Sequence, residues 1–259
     1  MNNKLLAVGI GVVLVVIGAF IVVAAKGGIG IGVMPEQKSV TGLISEGKLN
    51  DAKNKLDEIA DKKPGTTSIG KLYFELACAY EKNKDIVSAR DIYNVIMAKY
   101  QNIDKIAEVQ EKIGKLNMEI LFSPIVTNRD VLYVVEPGDS LTKIAKKFGT
   151  TVELIKVSNL LASDTIIARS KLKVSKAKYK MLVDKSQNLL TLLADEGSVV
   201  KVYRVSTGEN NCTPVGTFTI VNKIIDPVWY NEGVEVPAES PDNILGSRWL
   251  GFTKKGYGI

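Results

Sequence analysis

Among the side chains able to act as nucleophile, base or metal ligand, this chain has two cysteines, Cys78 and Cys212, and no histidine. An ordinary thiol with a pKa of ~8.5 is only a few per cent thiolate at neutral pH, so a cysteine nucleophile needs a base or positive charge beside it. Without imidazole, histidine triads, histidine metal sites and histidine acid–base pairs are excluded within these residues. Cys212 lies before the turn residues Thr213-Pro214 and has no identifiable activator in the sequence. Cys78 lies beside an apolar stripe and reads as a small core residue. No catalytic residue, metal-ligand set or cofactor is therefore expected. The best candidate for binding is Gly138-Asp139-Ser140-Leu141. It follows a short strand at Val131–Val135 and the turn formers Pro137-Gly138, and Asp139 or Ser140 can cap a helix there.

The elements that must position this cluster follow from pattern. Leu141, Ile144, Ala145 and Phe148 share one helical face, and Gly149 ends that helix. Thr150 with Glu153 forms a capping box for a second helix bearing Val152, Leu154 and Ile155. A closing strand follows at Lys171–Val174. Residues 130–178 hold nine basic and five acidic side chains, so most of the net charge of +6 belongs to this segment. That concentration argues against nucleic acid as a partner. It suits an anionic wall or lipid surface, or simply a solvated lysine face.

Upstream, Leu5–Ala25 is an uncharged apolar run long enough to cross a ~30 Å hydrocarbon core. Residues 1–26 are expected to be a transmembrane anchor. Cleavage after Val23-Ala24-Ala25 is the alternative. Lys4 and Lys26 flank both ends, so charge gives no orientation. Residues 36–122 read as helices, with stripes at Leu49, Ala52, Leu56, Ile59; Tyr73, Leu76, Ala77, Tyr80; Ala89, Tyr93, Ile96, Tyr100; and Ile106, Val109, Ile113, Leu116, Ile120. The pair 70–101 resembles a tetratricopeptide repeat, with small residues Ala77 and Ala89 at the helix crossing. Ile96 and Gln101 depart from that repeat's usual small residue and proline. The resemblance implies a groove for a protein segment, and a helical spacer is the alternative.

The segment 131–175 resembles a LysM domain, on Tyr133-Val134-Val135, Pro137–Leu141, Ile144-Ala145, Phe148–Thr151, Leu154 and Asn159-Leu160. Ala168-Arg169-Ser170 stand where the family has Pro-Gly-Gln. The resemblance implies a βααβ fold that binds N-acetylglucosamine chains of peptidoglycan or chitin. By it, Gly138, Asp139, Ser140 and Leu141 form one wall of the groove, and Leu160, Leu161, Ile166 and Ile167 the other. Amides and small polar groups would read acetamido groups while Leu or Ile packs on sugar.

Lys171, Lys173, Lys176, Lys178 and Lys180 read as a basic linker, after which the period becomes that of strands: 181–183, 189–193, 199–205 and 217–221. Residues 179–259 resemble the opening half of a YkuD-type L,D-transpeptidase domain. The matching text is Gln187-Asn188-Leu189, Ser206-Thr207-Gly208, Thr213–Phe218, Asn243–Gly251 and Tyr257-Gly258-Ile259. That family uses a cysteine nucleophile with a nearby histidine, in motifs that would follow Ile259, so the expectation is a truncated, inactive chain. Together the readings give a multidomain α+β protein: transmembrane helix, helical repeat-like region, LysM module and an incomplete, mostly-β catalytic domain. The implied setting is the bacterial cell envelope, anchored in the inner membrane and facing the periplasm or wall. The alternative is a non-catalytic wall-anchoring protein with a helical adaptor.

Overall fold

The computed structural model describes residues 35–231 and 233–259. The expected anchor, Leu5–Ala25, lies outside them. Among the described residues, no helix is long and apolar enough to cross a membrane. The chain divides into two compact units, one running to Lys180 and including Leu192–Val202, the other formed by Met181–Thr191 and Tyr203–Ile259.

The first unit begins with five helices: α1 (Pro35–Ser45), α2 (Leu49–Lys62), α3 (Thr67–Lys82), α4 (Ile86–Lys99) and α5 (Ile106–Leu121). The apolar stripes are what holds them. Leu56, Leu76, Ala77, Ala89, Tyr93 and Ile96 are wholly buried in one core, with Ile106 partly buried against it. The ring of Tyr73 meets that of Tyr100 at 5.4 Å, and Phe74 meets Tyr93 at 5.9 Å. Early α3 thus faces late α4, as in an antiparallel pair. Gly70 is required there, because a Cβ would lie 2.8 Å from both Ile103 and Tyr100. Polar ties cross the same helices: Tyr73 donates to Asp57 (2.6 Å), Tyr80 to Asn50 (2.9 Å), and Tyr93 and Lys112 both to Glu81. Cys78 is partly buried against this core, with its sulfur 3.3 Å from the Tyr93 hydroxyl.

The βααβ module follows: β1 (Asp130–Val134), α6 (Leu141–Phe148), α7 (Val152–Ser158) and β2 (Lys171–Ser175). Strands β1 and β2 pair antiparallel, with Tyr133 opposite Leu172 and Val131 opposite Val174. Tyr133, Val135, Leu141, Ile144, Ala145, Ile155, Leu172 and Val174 form the core. Ser140, not Asp139, caps α6, its hydroxyl accepting from Lys143 N. The cap of α7 also departs from expectation. Thr150 N donates to Ala145 O, closing α6 in a Schellman motif around left-handed Gly149, so Thr151 becomes the cap and accepts from Leu154 N.

Lys173 is the largest correction. Alternation along β2 points it away from the module's core, yet it is only 2% exposed. The end of α5 covers it: its ammonium donates to Ile120 O (2.6 Å) and Ser123 O (2.9 Å) and lies 3.8 Å from Asp130. A cation there completes carbonyls at a helix C-terminus and meets the favourable end of its dipole. Burial pushes the ammonium below the ordinary lysine range, and Asp130 offsets that only in part.

Strands β3 (Tyr179–Asp184), β4 (Leu189–Ala194) and β5 (Val199–Arg204) form a sheet in that order. The β4–β5 turn belongs to the first unit, where Asn117 donates to Val200 O (2.9 Å) and Arg129 pairs with Glu196 (2.6 Å). In the second unit β6 (Ile220–Ile225) pairs with β9 (Arg248–Phe252), and β7 (Trp229–Asn231) with β8 (Val234–Val236). The strand expected from Thr217 starts at Ile220 instead, and the Phe218 ring stacks on Phe252 at 5.6 Å. A Cβ at Gly251, beside the β6 bulge, would fall 2.0 Å from the Asn222 side-chain oxygen, so that side chain would have to move.

Candidate functional site

The two loops of the βααβ module are shaped by different means. Glu136-Pro137-Gly138-Asp139 is a tight turn, with Asp139 N donating to Glu136 O and Gly138 at φ +87°. Proline followed by a left-handed glycine is the type II arrangement. The Asp139 carboxylate turns back to accept from Glu136 N and the Tyr133 hydroxyl, both at 2.8 Å. Those two donors, the amide first, hold its carboxyl below the ordinary range. Lys143 reaches over to donate to Gly138 O at 2.8 Å. Ser140 is engaged as a helix cap, and Leu141 is only 2% exposed. Leu141 is therefore a core residue, and its side chain is closed to a ligand.

The second loop hangs on Asn159. Its amide donates to Lys173 O (2.8 Å) and to Ile155 O (2.8 Å), while its oxygen accepts from Lys173 N (2.7 Å). One side chain thus ties the end of α7 to β2. Leu160 and Arg169 both adopt left-handed backbone, at φ +57° and +69°. At Arg169 the turn keeps a shape that glycine would adopt without strain, fixed by Arg169 N to Val135 O (2.7 Å) and Val135 N to Ser170 O (2.9 Å).

A groove of about 230 Å³ opens on this loop, lined by Asn159, Leu161, Thr165, Ile166, Ile167, Ser170, Lys171 and Leu172. Of the expected residues it brings together Leu161, Ile166 and Ile167. Gly138, Asp139, Ser140 and Leu141 do not line it, and Leu160 stands exposed outside the lining. Leu161 and Ile166 also pack on the core, whereas Ile167 is 74% exposed. The polar liners Asn159, Thr165 and Ser170 were not singled out from sequence. Asn159 lies in the LysM-like motif and Ser170 in the triplet that departs from it, whereas Thr165 carried no signal.

Among the described residues, no group of three or more cysteine and carboxylate side chains could hold a metal ion. Cys212 is exposed, and its sulfur leaves no room for a Cβ at Gly208, whose amide donates to the Thr213 hydroxyl (2.7 Å).

Three known proteins and two domain families resemble parts of the chain. YqjB of Bacillus subtilis (strain 168), an L,D-transpeptidase by name, is 39% identical over 85 residues, covering 30% of this chain and 47% of that protein. The cell wall-binding protein YocH of the same organism is 57% identical over 42 residues, 16% of this chain and 15% of its own. YkuD of Bacillus licheniformis, again an L,D-transpeptidase by name, is 27% identical over 137 residues, half of this chain and 74% of that protein. The chain thus spans about half the length of the first of these relatives. Residues 133–175 match the family model of the LysM domain, and residues 178–259 match that of the L,D-transpeptidase catalytic domain.

Proposed function

We propose that the protein binds the glycan of peptidoglycan through residues 131–175 and serves L,D-transpeptidation of the cell wall through residues 179–259. The observation that carries the first half is the groove at Leu161, Ile166 and Ile167, beside exposed Leu160, on a module that matches LysM. Its volume falls below the ~300 Å³ where drug-sized pockets begin, which suits one sugar ring of a chain lying across the surface. Apolar side chains beside the hydroxyls of Thr165 and Ser170 give a sugar face and an acetamido group what each needs. The turn at Gly138-Asp139-Ser140 supplies a second contact outside that groove. The 57% identity over 42 residues to a cell wall-binding protein supports the same reading.

The remaining regions take supporting roles. Leu5–Ala25 anchors the protein in the membrane, with the body in the envelope. Helices α1–α5 form a tetratricopeptide-like surface for a protein segment. That reading is supported by the antiparallel pairing of α3 with α4 and by fully buried Ala77 and Ala89.

A second reading, wall binding without catalysis by these residues, is favoured by the lack of any histidine and by the setting of Cys212. One experiment separates the two. The full chain in detergent is incubated with purified sacculi, with N-acetylglucosamine oligomers as competitor, and then with a carbapenem that acylates cysteine transpeptidases. Sedimentation with the sacculi, competed by the oligomers, is the expected result. Failure to sediment removes the binding role. An acyl adduct mapped to Cys212 would place a nucleophile inside this chain; its absence leaves these residues as the wall-binding part.

A further inference from the structure

Helix α6 has a basic edge that the glycan groove does not use. Lys143, Lys146 and Lys147 fall at i, i+3 and i+4, so they neighbour one another on one face. No acidic residue lies on α6 itself. Lys178 arrives at the helix's C-terminal end, where its ammonium donates to Gly149 O at 2.8 Å. Lys147 sits over the Tyr133 ring at 4.7 Å, and Lys143 is held at Gly138 O. Three of these four ammonium groups are therefore placed by carbonyl or ring contacts, and none is in a direct ion pair with a carboxylate among the described residues. A merely solvated lysine keeps its rotamer freedom. These have given up part of it before any ligand arrives, which lowers the cost of binding.

Three of the module's five carboxylates have partners of their own, whereas Glu136 and Glu153 are exposed and Asp139 also lies within electrostatic reach of Lys143 and Lys147. Asp164 pairs with Lys156 at 2.6 Å, Asp130 lies inward beside Lys173, and Asp139 is occupied by the turn amide and the Tyr133 hydroxyl. The edge also begins at the Gly138 turn, next to the proposed glycan contacts. A ligand that fits presents fixed negative charge alongside a neutral sugar chain.

We propose that the α6 edge recognises the carboxylates of peptide stems attached to the glycan, so that this module selects peptide-bearing strands over bare ones. The proposal rests on the glycan-binding reading above. Ammonium groups act on carboxylates as point charges, in keeping with lysine rather than arginine along the edge. A glycan strand carrying stems would be held at two places, the sugar in the groove and the stem along α6.

The test measures binding of the full chain to three probes: intact sacculi, sacculi stripped of stem peptides by an amidase, and N-acetylglucosamine hexamer. Sacculi stripped of phosphodiester polymers by acid serve as a fourth. The parent chain should bind amidase-stripped sacculi about three- to tenfold more weakly than intact ones, the size expected of a few exposed ion pairs. The triple variant Lys146→Gln, Lys147→Gln, Lys178→Gln should lose the same factor on intact sacculi and nothing on the hexamer. Added salt should erase the difference between parent and variant. Equal binding of the parent to intact and amidase-stripped sacculi overturns the proposal, whatever the variant does. So does a loss seen only after acid stripping, which would assign the edge to phosphodiesters. Stem-dependent binding without hexamer binding would instead remove the glycan reading and leave this one standing.

Discussion

The βααβ module and the strands after Arg204 are both rich in Val, Ile, Leu and aromatic residues, but they use them differently. Within Asp130–Ser175 the two helices lie on the two-stranded sheet, and Val135, Ile144, Ile155 and Val174 are at most 2% exposed. From Tyr203 onward, no Val, Ile, Leu or aromatic side chain among the described residues is buried. Val215, Ile225, Tyr230 and Ile244 are each at least 67% exposed, although β6 and β9 pair along most of their length. Backbone pairing and apolar burial are separate achievements. A two-stranded ladder pairs only the backbone groups that face each other and covers neither face, and burial needs a second layer. The module has that layer within its own stretch of chain.

The largest expected effect falls on the module's attachment to α5. Lys173→Ala leaves Asp130 buried without its cation and strips a donor from two carbonyls, so it should cost about 3–5 kcal/mol in denaturant unfolding of the first unit. A loss below about 1 kcal/mol would mean that the buried contact contributes little.

The next prediction tests the contrast itself. Ile144→Ala, in the module core, should destabilise by about 2–5 kcal/mol, through lost transfer energy and the cavity left behind. Ile225→Ala, two-thirds exposed in β6, should change stability by no more than about 0.5 kcal/mol. Equal losses at the two sites would erase the distinction. Apolar-dye binding offers a second check, since it should map to 203–259 and not to the module.

Arg169→Gly should stabilise the module by about 1 kcal/mol, because a left-handed backbone strains any residue with a Cβ. Thermal unfolding reads it out, and a lowered midpoint would show that the arginine side chain contributes more than the strain costs.

The smallest effects are in acid. Burial pushes the Glu81 carboxyl up, but hydrogen bonds from Tyr93 and Lys112 outweigh it, and the net position lies below the ordinary 4.5. Its stabilisation is therefore present above about 4.5 and lost as pH falls through the lower folded value. Unfolding curves of Glu81→Gln should be flatter than the parent's in that window. Asp184, lowered first by the Ser186 hydroxyl and then by the Gln187 amide, acts in the same direction at an exposed turn of the second unit. Its substitution to Asn should move the acid curve less than Glu81→Gln does; the reverse order would contradict the burial argument.

Much of this was legible from residue order. The helical stripes, the Pro137-Gly138 turn, the cap at Ser140 and the glycine stop at Gly149 are local devices. Their physics is completed within a few residues, and the structure contains each. The candidate site was legible in half: Leu161, Ile166 and Ile167 do meet in one groove, while Leu141 turned out to be interior. An apolar residue at the first turn of an amphipathic helix serves core and ligand equally well in sequence, and only the packing of α6 on the sheet separates the two.

The sequence by itself determined the order of elements and the βααβ module, because period, caps and turn residues act over short separations. Tertiary structure alone decided the fate of Lys173 and Asn159. Lysine reads as solvent-facing wherever it occurs, and nothing near position 173 announces that Ile120 and Ser123, about fifty residues earlier, offer it their carbonyls. Asn159 gained its meaning from β2, whose backbone it joins fourteen residues later. Buried polar groups are settled by whichever partner reaches them, and that partner is distant in the chain and near only in space.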